Sequence, residues 1–148
     1  FFDERYEIIA KIYGRKKANL RLLNEQSKNT MMEYLDIKVT KVGENYLLAT
    51  IPFSNKTKQP FGLLHGGASV TLAESVGSIA ANLCVDENHY AVGLEINANH
   101  IKSVKKGIVT GKATPIHLGG STQIWNIEIR QDQFITCISR FTVAVLKK

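Results

Sequence analysis

The segment from Pro60 to Val85 reads PFGLLHGGASVTLAESVGSIAANLCV and contains one formally charged residue, Glu74. Its other residues are mostly apolar or small, which predicts a long, largely buried helix from about Gly67 to Cys84. An ionised carboxylate in such a helix loses much of its hydration energy, and burial would shift its pKa. Proteins keep a carboxylate there mainly where it pairs with a cation, binds a metal or does chemistry. Glu74 is therefore a candidate catalytic residue, and a salt bridge to a distant lysine or arginine is the structural alternative.

The same segment carries two glycines at the expected start of the helix, directly after His65. Gly66 and Gly67 would let backbone N–H groups approach a ligand closely, and the first N–H groups of a helix have no partner inside it. A donor site for an oxyanion on the same element as a lone carboxylate suggests acyl chemistry. Taken alone, His65 fits an ordinary capping or packing residue.

The bulk composition of the 148-residue chain is 44% hydrophobic and 22% charged, with a formal net charge of +6. These values fit one globular domain with a sizeable core. The basic residues are scattered, so nucleic-acid binding is not favoured, although the surplus suits a small phosphorylated ligand. No apolar stretch has the length of a membrane span, and we expect no membrane association.

The two cysteines, Cys84 and Cys137, lie in apolar surroundings. We expect buried free thiols in a reducing compartment, and no signal peptide is visible, so the chain is predicted to be cytoplasmic. The histidines His89, His100 and His117 do not show metal-ligand spacing, and no metal site is predicted.

Hydrophobic periodicity predicts an α+β layout with one long helix and about six antiparallel strands. Short helices are predicted over residues 6–13 and 19–25, with a further helical turn before Leu35. Strands are predicted over residues 35–42, 44–53, 90–101, 108–116, 122–130 and 134–146. Because the long helix is apolar nearly all round, we expect the sheet to wrap it or a partner to cover its other side.

The spacing of His65 and Glu74 limits how they can act together. Nine residues on one helix correspond to about 13 Å of rise and about half a turn of rotation, so both side chains cannot reach one atom. Either one of them is structural, or the site is shared by two chains of a two-fold dimer with antiparallel helices.

Two stretches, taken together, are characteristic of one protein family. Residues 59–78 read QPFGLLHGGASVTLAESVGS, and residues 92–100 read VGLEINANH. They closely resemble the PaaI-like acyl-CoA thioesterases of the hotdog fold. The resemblance implies a hotdog domain over residues 32–148, in which an antiparallel sheet wraps the central helix, after an N-terminal helical extension over residues 1–31. It also implies paired subunits that share two sites, a tetramer of two such dimers, and no metal or redox cofactor.

The resemblance also implies roles for five residues of this chain. Glu74 would act as nucleophile or general base on the thioester. The Gly66 N–H group, aided by His65, would polarise the thioester carbonyl, beside which Gln59 would lie. Ser78, one turn beyond Glu74, would orient water or the acyl group.

Further matching stretches are implied to contact the substrate. Ile79 would form a wall of the acyl pocket, and the contacts to the CoA thioester would come from Gly93, His100, Ile101, Lys102, Ser103, His117, Leu118, Gly119, Gly120, Ser121 and Thr122. The sequence GST at residues 120–122 is less basic and less bulky than expected for the family, which weakens the expectation of phosphate contacts in that loop.

The function implied is hydrolysis of an acyl-CoA thioester, with an aromatic acyl group of the dihydroxynaphthoyl or hydroxybenzoyl type. One alternative is a hotdog hydratase or dehydratase, which would need an acid/base pair over carbons two and three of the acyl chain. The other is a non-catalytic acyl-CoA-binding module, which would not need a carboxylate at residue 74.

Overall fold

The computed structural model describes residues 19–148. Within them, α1 spans Leu20–Glu25 and α2 spans Met31–Tyr34. Both are short and begin at a capping side chain, because the Asn19 and Thr30 oxygens accept hydrogen bonds from backbone N–H groups of the first turn. The helix predicted over residues 6–13 lies outside the described residues.

The remaining elements are six strands and one long helix. Their bounds are β1 Lys38–Val42, β2 Leu47–Pro52, α3 Gly66–Leu83, β3 His89–His100, β4 Ile108–Leu118, β5 Thr122–Gln131 and β6 Phe134–Lys147. The strands form one antiparallel sheet in the order β1-β2-β4-β5-β6-β3, and α3 contacts every strand from β2 to β6. The predicted α+β layout and the hotdog arrangement are confirmed.

Strict alternation explains why the inner face of the sheet is apolar. In β5 the side chains of Gln123, Trp125, Ile127 and Ile129 are buried, and the residues between them are half-buried. Gln123 is tolerated there because its amide oxygen accepts a hydrogen bond from Trp125 Nε1 at 2.9 Å.

The first two strands begin later than predicted. Leu35 ends α2, and Asp36 has a positive φ of 58°, so strand geometry starts only at Lys38. Between β1 and β2, the Gly43 N–H donates to the Tyr46 carbonyl at 2.8 Å, which closes a turn over residues predicted as strand. Turn chemistry therefore overrides the alternation at both places.

The edge strand β3 does not bury the residues its alternation predicts. The sequence predicts that Val92, Leu94, Ile96 and Ala98 share the inner face. Val92 and Leu94 are exposed, whereas Ile96 and Ala98 pack against the core. The reason is a register shift between Gly93 and Glu95, because one extra residue reverses which side chains face the core.

One face of α3 packs on the sheet, and residues 19–148 cover the opposite face only in part. A Cβ on Gly77 would lie 2.7 Å from Phe141 Cδ2, so the absence of a side chain lets the helix sit directly on that ring. On the opposite face, Gly67, Thr71, Glu74, Ser78 and Asn82 follow one another at intervals of three or four residues. No helix within residues 19–148 is long and apolar enough to cross a membrane.

Candidate active site

Glu74 lies at the middle of α3 and points away from the sheet. Its side chain is exposed in the single chain, so the burial expected from the apolar sequence around it is not supplied by its own fold. No lysine or arginine within residues 19–148 forms a salt bridge with it. Its Oε1 atom would lie 3.5 Å from a Cβ built on Gly93 of β3, which places the carboxylate beside the edge strand.

His65 is the N-cap of α3. Its Nδ1 atom accepts a hydrogen bond from the Gly67 N–H at 2.8 Å. A neutral imidazole that accepts at Nδ1 carries its proton at Nε2, so the cap fixes which nitrogen can donate. The exposed ring thus presents an N–H donor at the start of the helix.

Gly66 supplies a second donor at the same place. Within residues 19–148 its backbone N–H has no hydrogen-bond partner, as expected for the first residue of a helix. A Cβ on Gly66 would lie 2.9 Å from Nε2 of His100, so the glycine lets that ring approach the helix start. Both residues line a cavity of about 280 Å³ together with Ile101, Lys102 and Ser103.

Gln59 lies in the loop before α3, and a hydrogen bond to its amide oxygen holds its side chain. The Oε1 atom accepts from the Phe61 N–H, while the Gln59 backbone pairs with Leu63 and Gly62. The amide nitrogen remains as the donor that this side chain can offer to a substrate.

Ser78 and Ile79 lie one turn beyond Glu74 and belong to a different opening. They line a groove of about 700 Å³ that α1, α2 and the start of β3 border on the other sides. Within residues 19–148 the hydroxyl of Ser78 makes no hydrogen bond of its own; its backbone carbonyl accepts from Asn82 Nδ2.

The segment from His117 to Thr122 forms the end of β4, the β4–β5 turn and the start of β5. The Gly119 N–H donates to the Thr122 carbonyl at 2.8 Å, and the Val145 N–H donates to the Ser121 carbonyl at 2.9 Å. None of residues 117–122, which include Leu118 and Gly120, lines the cavity beside Gly66 or the groove beside Ser78.

Lys102 has a contact that its predicted role did not include. Its Nζ atom lies 3.4 Å from the centroid of the Phe134 ring. This cation–π contact holds the ammonium group at the rim of the smaller cavity.

The structure therefore brings the predicted residues together in three groups. Gly66 lies with His100 and the following residues, Glu74 lies with Gly93, and Ser78 lies with Ile79. Gly66 of the first group and Glu74 of the second are separated along α3 by about 12 Å, as the helical spacing requires.

The segment that contains these residues matches a known protein family. The sequence profile of the Thioesterase superfamily matches residues 61–138, which include the whole of α3 and extend into β6. The chain belongs to this superfamily. Its reaction is therefore the hydrolysis of a thioester, and it is an enzyme of the hydrolase class.

Named relatives of this thioesterase are similar over nearly their whole length. The 1,4-dihydroxy-2-naphthoyl-CoA hydrolase of Escherichia coli is 48% identical over 133 residues, which cover 89% of this chain and 98% of that one. The proofreading thioesterase EntH of Cronobacter sakazakii is 44% identical over 133 residues, covering 89% and 97%. Thioesterases of this family act on acyl-CoA substrates and commonly form oligomers.

A solved structure confirms the fold of the thioesterase. The crystal structure of a thioesterase from Haemophilus influenzae superposes with a TM-score of 0.86 at 45% sequence identity, covering 87% of this chain and 91% of that one.

Two residues of the thioesterase that support the site were missed at the sequence level. Phe141 Cε1 would lie 2.8 Å from a Cβ on Gly93, so this glycine makes room for the ring. Asn82 donates to the Ala91 carbonyl at 3.0 Å and accepts from the Ala91 N–H at 2.9 Å, which ties α3 to the edge strand. A polar residue eight positions after Glu74, on the same helix face, was the available signal for Asn82.

Proposed function

We propose that this thioesterase hydrolyses an aromatic acyl-CoA to the free acid and CoA, with Glu74 as its catalytic carboxylate. The observation that carries the proposal is the position of Glu74. It is a carboxylate without a salt-bridge partner among residues 19–148, and it is exposed on α3, where the other exposed residue is Gly67. Among the described residues, a structural ion pair therefore does not explain why a carboxylate lies at position 74.

The carbonyl oxygen of the thioester would be bound at the start of α3. The free N–H of Gly66 and the Nε2–H of His65 are two donors at the positive end of a helix dipole, where they stabilise the charge that develops on the oxygen. The amide nitrogen of Gln59 would lie beside the same carbonyl.

The chemical step then follows one of two balanced routes. As a general base, Glu74 takes a proton from water, the water oxygen bonds to the carbonyl carbon, and the C–S bond breaks as Glu74 passes that proton to the CoA thiolate. As a nucleophile, the Glu74 carboxylate displaces the CoA thiolate and forms an anhydride, which water then hydrolyses. Ser78 would orient the water or the acyl group in either route.

Because one chain holds the two groups about 12 Å apart along α3, both can act on one thioester only where a second chain supplies one of them. We infer a two-fold homodimer in which the His65 end of one α3 lies beside Glu74 of the other, and a tetramer of two such dimers. The uncovered face of α3 and the adjoining edge strand β3, with exposed Val92 and Leu94, supply the surface for this contact.

The CoA portion would follow the residues around the smaller cavity. The segment from His100 to Ser103 borders the cavity that contains Gly66, and Lys102, Lys105 and Lys106 add positive charge next to it. The turn formed by residues 117–122 would contact the CoA thioester from a neighbouring position in the assembly.

The aromatic acyl group is proposed from the relatives. One is named for 1,4-dihydroxy-2-naphthoyl-CoA, and the resemblance of residues 59–78 extends to that group of enzymes.

A reducing compartment, the cytoplasm, fits the two buried cysteines that are not joined by a disulfide. Burial raises the pKa of the Cys137 thiol, which keeps it protonated and unreactive at neutral pH.

The proposal is tested by measuring CoA release from benzoyl-CoA and 2-naphthoyl-CoA. The wild type should release CoA, and Glu74→Gln should lose about 10³-fold or more in kcat while keeping its fold. Glu87→Gln removes an exposed carboxylate from the loop after α3 and is the matched control, which should retain full activity.

Two results would contradict the proposal. A folded Glu74→Gln protein within about tenfold of the wild type would remove Glu74 from the mechanism. A wild type that binds the thioester, or hydrates an unsaturated acyl chain, without releasing CoA would favour the binding module or the hydratase.

A further inference from the structure

The groove of about 700 Å³ beside Ser78 is formed largely by the segment that precedes the strands. Eight of its lining residues lie between Asn19 and Met32, in α1, α2 and the loop that joins them: Asn19, Leu22, Leu23, Gln26, Ser27, Thr30, Met31 and Met32. Its size lies in the range of pockets that hold drug-sized ligands, roughly 300–1,000 Å³.

The groove begins one turn of α3 beyond the proposed catalytic carboxylate, which does not itself line it. Ser78 and Ile79 line it and lie one turn after Glu74, while Asn82 and Leu83 line its far end. A thioester carbon held at Glu74 would therefore direct its acyl group along α3 toward the end of the helix, into this groove.

The wall contributed by α1 and α2 carries apolar side chains beside the amides of Asn19 and Gln26. Leu22 and Met31 are exposed leucine and methionine side chains that line it. The hydroxyl groups of the same wall are used locally: Ser27 donates to the Leu23 carbonyl at 3.2 Å, and Thr30 donates to the Ser27 carbonyl at 2.6 Å. The wall is thus suited to a flat apolar group rather than to a charged one.

We propose that α1 and α2 form one wall of the acyl pocket, and that Leu22 and Met31 set the preference for large aryl groups over small acyl groups. This inference rests on the proposed function. The segment from residue 19 to residue 32 then determines substrate size, while the catalytic groups lie elsewhere in the chain.

The test fills the groove with a larger side chain and uses two matched pairs of variants. Leu22→Trp is compared with Leu20→Trp on the same helix, whose leucine does not line the groove; the two leucines are 47% and 37% exposed. Met31→Trp is compared with Tyr34→Trp in α2, with parent residues 59% and 67% exposed. The measured quantity is the ratio of kcat/KM for 2-naphthoyl-CoA to that for acetyl-CoA, with the affinity for free 2-naphthoic acid measured by calorimetry.

Leu22→Trp and Met31→Trp should lower this ratio by at least about tenfold and weaken naphthoic acid binding, whereas the controls should match the wild type. Because Met31 is largely exposed, its variant should fold even if the Leu22 variant does not. Unchanged ratios in folded Leu22→Trp and Met31→Trp would overturn the inference while leaving the thioesterase activity in place. A wild type that releases no CoA from any aryl thioester would instead contradict the proposed function.

Discussion

At the scale of single residues, Glu74 is recognisable from the sequence because it is the one charged residue between Pro60 and Val85. A lone carboxylate among small and apolar residues was predictable as a candidate from the sequence. Its surroundings were not, because the sequence predicted burial inside the chain and the structure places the side chain on an uncovered face. Residues 19–148 of the single chain leave Glu74 exposed.

His65 is expected to have two separable roles, which substitution can resolve. His65→Ala should lower kcat by about 10²-fold, because the Nε2–H donor acts on the developing oxyanion. It should also destabilise the fold by about 1 kcal/mol, because the Gly67 N–H loses its capping acceptor. Steady-state kinetics and urea unfolding measure the two effects.

The matched variant for this prediction is His65→Asn. An asparagine side chain caps helices well, so stability should return toward that of the wild type while kcat stays low. If His65→Ala changes only KM, the residue binds substrate or packs and does not polarise the carbonyl.

At the scale of elements, the long helix and the last strands were predictable because periodicity alone specifies them. Helix α3 spans Gly66–Leu83 against a predicted 67–84, and β5 ends at Gln131 against a predicted 130. The burial pattern of β3 was not predictable, since the shift between Gly93 and Glu95 leaves no signature in an alternating sequence. The extent of the helical extension, residues 1–31, stays a prediction.

The contact between α3 and β3 depends on Asn82 and gives a prediction about stability. Asn82→Ala should destabilise the fold by about 1–3 kcal/mol, because the Ala91 N–H and carbonyl both lose their side-chain partner. Asn55→Ala, in an exposed loop, is the control and should leave the free energy of unfolding within about 0.5 kcal/mol. Equal effects of the two substitutions in chemical denaturation would show that the tie to the edge strand contributes nothing.

At the scale of the whole molecule, residues 19–148 leave the edge strand β3 and the face of α3 around Glu74 exposed. The strand β3 lies at the end of the sheet order and exposes Val92 and Leu94, which is unusual for an edge that faces water. The sequence predicted that either the sheet would wrap the helix or a partner would cover its other side, because the helix reads as apolar nearly all round. The oligomeric state itself stays a prediction.

A charge on this edge should disrupt the predicted assembly. Leu94→Glu should shift the protein toward monomers and lower its activity, because a carboxylate would be desolvated at the contact. Ile108→Glu, at a similarly exposed residue at the start of β4, is the control and should leave the assembly intact. Sedimentation velocity measures the outcome, and an active Leu94→Glu monomer would contradict a site shared between chains.

The claim that Glu74 and His65 of different chains act on one thioester is tested most directly by mixing two inactive variants. Glu74→Gln and His65→Ala chains are combined under conditions that exchange subunits, and CoA release from benzoyl-CoA is measured. A mixed dimer carries one site with both changes and one site with neither. Random exchange makes about half of the dimers mixed, so about a quarter of all sites should be intact. Activity should therefore rise to about a quarter of the wild-type value, well above either parent; no recovery despite confirmed exchange would show that the two residues do not share a site.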